Sequence, residues 1–248
     1  MNRPSDNPDF RQSTATPPPR FGGETSSSTL LNERLAALPR HDRDAMLEQS
    51  TTVELKLGEV LAEAGQPAAY AYFPVGGIIS LLASVDKKTT LEVALVGFEG
   101  MLGLSLALGA EGAPLRARVR AAGTALRIDA ATFKRLLENS PEMRADLNRY
   151  ACAQLAAIAQ TAVCTRFHLV EERLARWLLM IHDRAGSDHL ELTHGLLAEM
   201  LGVRRSGITT AAGVLRQRGF IKYTRGDITI VDREGLEAAS CACYRIVR

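Results

Sequence analysis

Apolar positions along this chain change their period twice. From Leu30 to Glu48, the residues Leu31, Leu35, Leu38 and Leu47 recur near helical spacing with Pro39 as a break, which predicts two short helices. Between Thr52 and Ile128 the pattern shortens to runs such as VELKLGEVLAEAGQ, YAYFPVGGIISLLASV and RARVRAAGTALRI. Turn residues punctuate them at Gly58, Gly65, Gly76-Gly77, Asp86-Lys87-Lys88 and Gly97. This is the rhythm of an antiparallel β-roll of cupin-like shape. Inside it, Met101 to Leu108 is apolar on nearly every position, which predicts a short buried helix.

The helical period returns at Ala130 and is interrupted at Ser140-Pro141. Pro141 suits the first turn of the next helix, where its missing N–H has no intrahelical partner to lose. From Glu142 the chain runs to about Thr165 without Gly or Pro, enough for a rod of roughly 36 Å. Leu147, Tyr150, Ala151, Leu155, Ile158 and Ala162, with Gln154 among them, form a stripe at three- and four-residue spacing. Such a stripe can pack on the chain's own roll or on the same helix of a second chain. The small residues Ala151, Ala159 and Ala162 favour the second arrangement, a homodimer, because they let two backbones approach closely.

After a further helix from Leu169 to about Arg184 comes LTHGLLAEMLGVRRSGITTAAGVLRQRGFIKYTRGDITIV. Thr193 can cap a helix ending near Leu201, and Gly202 supplies a tight turn. A second helix from about Arg204 to Arg218 turns Ile208, Ala211, Ala212 and Leu215 inward and Arg205, Ser206, Thr209 and Thr210 outward. Two short strands around Thr224-Arg225-Gly226-Asp227 then form a hairpin, the wing of a winged helix-turn-helix. From Gly202 to Arg225 there are Arg204, Arg205, Arg216, Arg218, Lys222 and Arg225 but no Asp or Glu, the local excess that phosphate neutralisation requires. Double-stranded DNA is the expected partner. Thr193, Arg204, Arg205, Ser206, Thr209, Thr210, Arg216, Lys222 and Arg225 are the candidate contacts, with Arg205 suited to the acceptor pair of guanine.

The formal charge of +2 hides this local excess, because the chain's 30 cations and 28 acids balance overall. At 248 residues and 46% hydrophobic content the length suits two domains of α+β class. Residues 1–28, rich in Pro, Ser, Thr and Gly, read as a disordered tail, with a roll over 29–140 that senses or couples a signal. A long dimerisation helix over 141–166 and a DNA-binding domain over 167–248 complete the division. Four cysteines, at 152, 164, 241 and 243, are too few and too scattered for a disulfide scaffold, which points to the reducing cytoplasm. No membrane span or secretory leader is expected. The roll has no His between His41 and His168, so a cupin-type metal enzyme is not expected, and no cofactor is assigned. Cys241-Ala242-Cys243 is a short pair that could bind metal or oxidise but, without nearby His or further Cys, reads as packing residues, and His168, a haem-ligand or hinge candidate, reads as structural because it stands alone in the sequence.

The order of these parts resembles the Crp/Fnr superfamily, most clearly in YFPVGGIISLL, VGFEGMLG and the helix-turn-helix segment. The resemblance implies a cyclic-nucleotide-binding-like roll and a homodimer whose recognition helices enter successive major grooves of a near-palindromic site. RNA polymerase would be a further partner if the protein activates transcription. Arg205 falls on the family's base-reading arginine, followed here by Ser206 in place of the usual Glu. Gly100, Met101, Gly103, Arg116 and Arg118 mark the corresponding effector pocket. The family's nucleotide binders carry Gly-Glu-x-Gly where this chain has Gly100-Met101-Leu102-Gly103, and Arg-Ser or Arg-Thr where it has Arg116-Ala117. Met101 cannot accept hydrogen bonds from a ribose, so cyclic AMP is not expected to bind in the usual way. A regulator responsive to cyclic AMP or cyclic-di-GMP is the alternative. The family's iron–sulfur members use clustered amino-terminal cysteines, and none precedes Cys152 here.

Overall fold

The computed structural model describes residues 31–86, 89–224 and 226–246; the tail expected over 1–28 lies outside them. The chain begins with α1 (Glu33–Ala36) and α2 (Arg40–Glu48), separated by Pro39, the N-cap of α2. Buried Asn32 fastens this lead-in to the roll: its Nδ2 donates to the carbonyls of Pro74 and Gly100 at 2.9 and 2.8 Å.

Seven strands build the roll: β1 (Thr51–Leu55), β2 (Val60–Ala62), β3 (Tyr70–Pro74), β4 (Ile78–Ser84), β5 (Thr90–Val96), β6 (Arg116–Ala121) and β7 (Gly123–Asp129). They pair antiparallel in two sheets, ordered β1-β7-β3 and β2-β6-β4-β5. Leu55, Ile79, Val96, Ala117, Val119 and Ala125 fill the space between them. Strand β4 shows no alternation because both its faces are covered, Ile79 and Leu81 by the roll and Ile78 by the carboxyl-terminal domain. The embedded helix α3 (Leu104–Ala107) is shorter than the expected 101–108. Leu102 exchanges two backbone hydrogen bonds of 2.9 Å with Tyr72, and Gly103, at φ +102°, turns the chain into the helix only afterwards.

Helices α4 (Ala130–Glu138), α5 (Pro141–Phe167) and α6 (Val170–Ala185) come next. Ser140 caps α5, its Oγ accepting from the Met143 N–H at 3.1 Å, with Pro141 in the first turn as expected. Only part of the stripe on α5 packs on the chain's own roll. Leu147 and Tyr150, proposed from the sequence for a dimer seam, lie in the chain's own core with Phe73, Met101, Ile128 and Phe133. Beyond them Ile158 still packs on the roll, while Leu155, Ala156, Ala159, Ala162 and Val163 are exposed, Leu155 at 69%. Ala151, Gln154 and Ile158 flank this exposed stripe, half-buried.

The carboxyl-terminal domain contains β8 (His189–Glu191), α7 (His194–Leu201), α8 (Arg205–Gln217), β9 (Ile221–Thr224), β10 (Asp227–Ile230), α9 (Arg233–Ala239) and α10 (Cys243–Ile246). Its sheet runs β8-β10-β9. Leu174, Leu178, Leu197, Ile208, Leu215, Ile228 and Leu236 form its core, into which Ile78 and Leu95 of the roll also project. The reading of Cys241, Cys243 and His168 as residues without fellow ligands is overturned. The fold carries Cys164 and His168, at the end of α5, against Cys241 and Cys243.

Candidate nucleic-acid interface

Two helices and a hairpin position the candidate contacts. Thr193 caps α7, its Oγ1 accepting from the Leu196 N–H at 3.2 Å. Gly202 ends α7 at φ +62°, a left-handed conformation that L side chains rarely adopt, and the Val203 N–H donates to the Ala198 carbonyl at 3.0 Å to close the turn. Buried Ala198 and Ala212 allow α7 and α8 to cross closely over Ile208 and Leu215. This geometry turns Arg204, Arg205, Ser206, Thr209, Thr210 and Arg216 to solvent, with Lys222 exposed on β9 and Thr193 at the start of α7. All eight are therefore exposed to solvent. Arg225 lies outside the described residues.

Two features were not legible in the sequence. His194 stacks on Tyr223 of β9 with ring centroids 4.2 Å apart, and its Nδ1 lies 3.0 Å from the Thr209 hydroxyl of α8. It clasps the wing to the recognition helix, and burial followed by the Arg205 charge pushes its pKa down, favouring neutral imidazole. Arg218, counted among the basic residues, instead pairs with Glu171 of α6 at 3.1 Å.

The domain is docked on its own roll through polar groups. The Trp177 indole N–H of α6 donates to Glu92 of β5, which also accepts from the Ser80 hydroxyl. The Arg120 guanidinium lies over the same indole, 5.8 Å from its centroid. Glu199 of α7 accepts from Arg118 at 3.1 Å and from Thr90 at 3.2 Å, while Arg184 pairs with Glu99 at 2.8 Å.

Burial pushes the Glu92 carboxyl from 4.5 up to about 7, against the hydrogen bonds from Ser80 and Trp177 and the charges of Arg120 and Arg184. Because the folded state holds this proton more tightly, the stabilisation is complete below about pH 4.5 and is lost as pH rises through about 7. Across that window Glu92 should lower stability by roughly 3 kcal/mol. Urea unfolding from pH 5 to 8 is expected to show this extra downward slope in the native protein and not in Glu92→Gln. Identical slopes would exclude Glu92 as its source.

The effector residues expected from the sequence do not come together as a pocket. Met101 is buried in the core, and Gly100 lies so close beneath Tyr150 that a Cβ there would fall 2.3 Å from the tyrosine oxygen. Gly103 begins α3, Arg116 pairs with Glu63 at 3.4 Å, and Arg118 is held by Glu199. A cavity of about 360 Å³ opens instead between β5, α5 and α6. Arg34, Arg149, Arg176 and Arg184 line it together with Glu99, Tyr150 and Gln154.

Residues 52–140 match a family model described as a cyclic nucleotide-binding domain, and residues 172–239 match a Crp-like helix-turn-helix domain. Over 201 residues the chain is 28% identical to the transcriptional regulator SdrP of Thermus thermophilus, covering 77% of this chain and 95% of the relative. Among solved structures it is similar to FixK2 from Bradyrhizobium japonicum, with TM-score 0.67 and 16% identity, covering 78% of this chain and 98% of that one. It is also similar to the c-di-GMP responsive global regulator CLP of Xanthomonas campestris, with TM-score 0.64 and 16% identity, covering 77% and 99%. Both structural likenesses are likenesses of fold.

Proposed function

The chain belongs to the Crp/Fnr superfamily of transcription regulators, and from that premise we propose that it binds a near-palindromic DNA site as a homodimer. The observation that carries this reading is the acid-free segment running from Gly202 through α8 to β9. There Arg204 and Arg205 stand exposed at the start of the recognition helix with no carboxylate partner among the described residues. Arg205, Ser206 and Thr209 read base edges. Thr193, Arg204, Arg216 and Lys222 hold phosphates, Thr193 standing at a helix N-terminus where backbone N–H groups also face outward. Thr210 is assigned to either role, and Arg225 joins the phosphate contacts by its place in the wing.

The bare stripe Leu155, Ala156, Ala159, Ala162 and Val163 supports pairing of α5 with its copy, which would set two recognition helices one turn of duplex, about 34 Å, apart. A regulator of this kind works in the cytoplasm, where the DNA is, and as an activator it would also touch RNA polymerase. Among the described residues no helix is long and apolar enough to cross a membrane. The similarity to regulators supports a role in control rather than catalysis.

For the effector, burial of Met101 and the pairing of Arg116 and Arg118 speak against the usual cyclic-nucleotide pose. The cavity beside α5 is the alternative place for a small effector, with polar groups of both signs: Arg34 and Arg149 pair with Asp146, Arg184 pairs with Glu99, and Arg176 and Gln154 add further donors. The reading is tested by selecting duplexes from a random pool with the purified full chain at moderate salt. Enrichment of a site with two inverted half-sites is expected, and an unenriched pool would reject it.

A further inference from the structure

Four soft ligands converge where the long helix meets the DNA-binding domain. Cys164 and His168 stand four residues apart at the end of α5, with His168 as its C-cap. Cys241 lies between α9 and α10, and Cys243 opens α10. The four ligand atoms all lie within 4.8 Å of one another. Cys164 Sγ is 3.5 Å from Cys241 Sγ, and Cys243 Sγ is 3.4 Å from His168 Nδ1. The three thiols are free and buried, and the imidazole is half-buried. Tetrahedral zinc, with bonds of about 2.3 Å to sulfur and about 2.0 Å to nitrogen, places its ligand atoms roughly 3.5–3.8 Å apart. The two closest pairs already sit near that figure, and small side-chain movements bring in the rest.

The surroundings point independently to a negative centre. Arg173 and Arg176, each 7% exposed, flank the thiols, Arg176 hydrogen-bonding Cys164, and their other hydrogen bonds among the described residues go to hydroxyl and carbonyl oxygens. Arg173 reaches the Leu201 carbonyl and the Thr165 hydroxyl, while Arg176 reaches the Thr161 hydroxyl and leaves its buried Nε without a partner there. Two buried guanidinium ions favour negative charge on the sulfurs beside them, because a buried cation needs an anion close by. Three thiolates around a divalent zinc ion carry a net single negative charge, which supplies it. Gln160 Nε2 already donates to Cys243 Sγ at 3.0 Å, the kind of outer hydrogen bond that orients a thiolate ligand.

We propose that Cys164, His168, Cys241 and Cys243 form a structural zinc site that pins the end of the chain to the joint between α5 and α6. Four protein ligands close the coordination sphere, so the site is structural and not catalytic. On binding, each thiol gives its proton to solvent and its sulfur lone pair to the metal, and nothing is oxidised or reduced. The clamp bears on DNA reading through Arg173, which ties the same spot to Leu201, the residue before the helix-turn-helix glycine.

The test is a Co²⁺ titration of the full chain, stripped of metal under a phosphine reductant. One equivalent per chain is expected to produce a thiolate-to-cobalt charge-transfer band with the intense visible bands of tetrahedral cobalt, all erased by one equivalent of Zn²⁺. Zinc should also raise the melting temperature. Cys243→Ser is expected to weaken zinc binding about 100-fold or more, while Cys152→Ser, whose thiol is exposed on α5, should bind as the native chain does. Absence of the charge-transfer band in the native chain would overturn the site without reference to any variant's folding. So would equal affinity in Cys243→Ser, or a Cys164–Cys241 disulfide in protein isolated without oxidant or chelator.

Discussion

Arg205→Ala is expected to weaken binding to the selected duplex by about 5- to 150-fold, or about 1–3 kcal/mol, and to leave binding to random duplex far less affected. The asymmetry arises from where the side chain stands. Arg205 opens α8, is exposed, and has no carboxylate partner among the described residues, so its planar fork is free to meet the paired acceptors of a guanine. Losing it leaves those base atoms unpaired only at the correct sequence. Lys222 offers the contrast, because it lies on the wing strand and presents a flexible point charge. Lys222→Ala should weaken both duplexes by a similar factor and reduce the salt dependence of binding by about one counterion. Filter binding or fluorescence anisotropy on both duplexes at several salt concentrations separates the two behaviours. Equal losses on selected and random DNA for Arg205→Ala would move this residue to the phosphate contacts.

The parts that proved legible in the sequence rest on local physics. Helix α5 begins at Pro141 because Ser140 and Pro141 together make a helix start that needs no tertiary help. The pairing of α7 and α8 is equally local: Gly202, the inward spacing of Ile208 and Leu215, and the absence of acids are all written within 24 residues. What stayed hidden depends on contacts between distant segments. Leu147 and Leu155 occupy the same apolar stripe, yet one lies at 2% exposure and the other at 69%, because Leu147 enters the chain's own core whereas Leu155 does not, although Ile158 beyond it packs on the roll again. Periodicity fixes which face is apolar but not what covers it. Gly207 and Gly213 stand inside α8, where glycine is unfavourable, but a Cβ at either would meet nothing within 4 Å, so no close approach among the described residues demands them. Cys164 and Cys241 are 77 residues apart, and no spacing rule for metal ligands joins them. A cue existed in the four-residue step from Cys164 to His168, which puts two ligands on one helical face, but it means little until a second pair is brought opposite.

Leu155→Glu is expected to convert the proposed dimer to monomer and, with it, to remove most of the operator affinity. The leucine is 69% exposed in the single chain, so the substitution leaves its own domain unstrained and costs little in folding stability. In a paired α5 the same position lies in the seam, next to Ala156, Ala159 and Ala162, where two carboxylates would be desolvated with no cation facing them. The effective penalty is several kcal/mol for each buried charge, which lowers the dimerisation constant by about 1000-fold or more. A monomer holds one half-site at a time and forfeits the effective concentration that tethering gives the second, a factor of about 100 to 10000 in affinity. Sedimentation velocity should show half the native mass while circular dichroism and melting stay near native values, and anisotropy should show the operator affinity falling toward that of a single half-site. A chain that still sediments as a dimer with intact operator affinity would place the seam elsewhere. The half-buried flank of Ala151, Gln154 and Ile158 would not rescue the proposed pairing, because it borders the same stripe and any seam using it must also bury position 155.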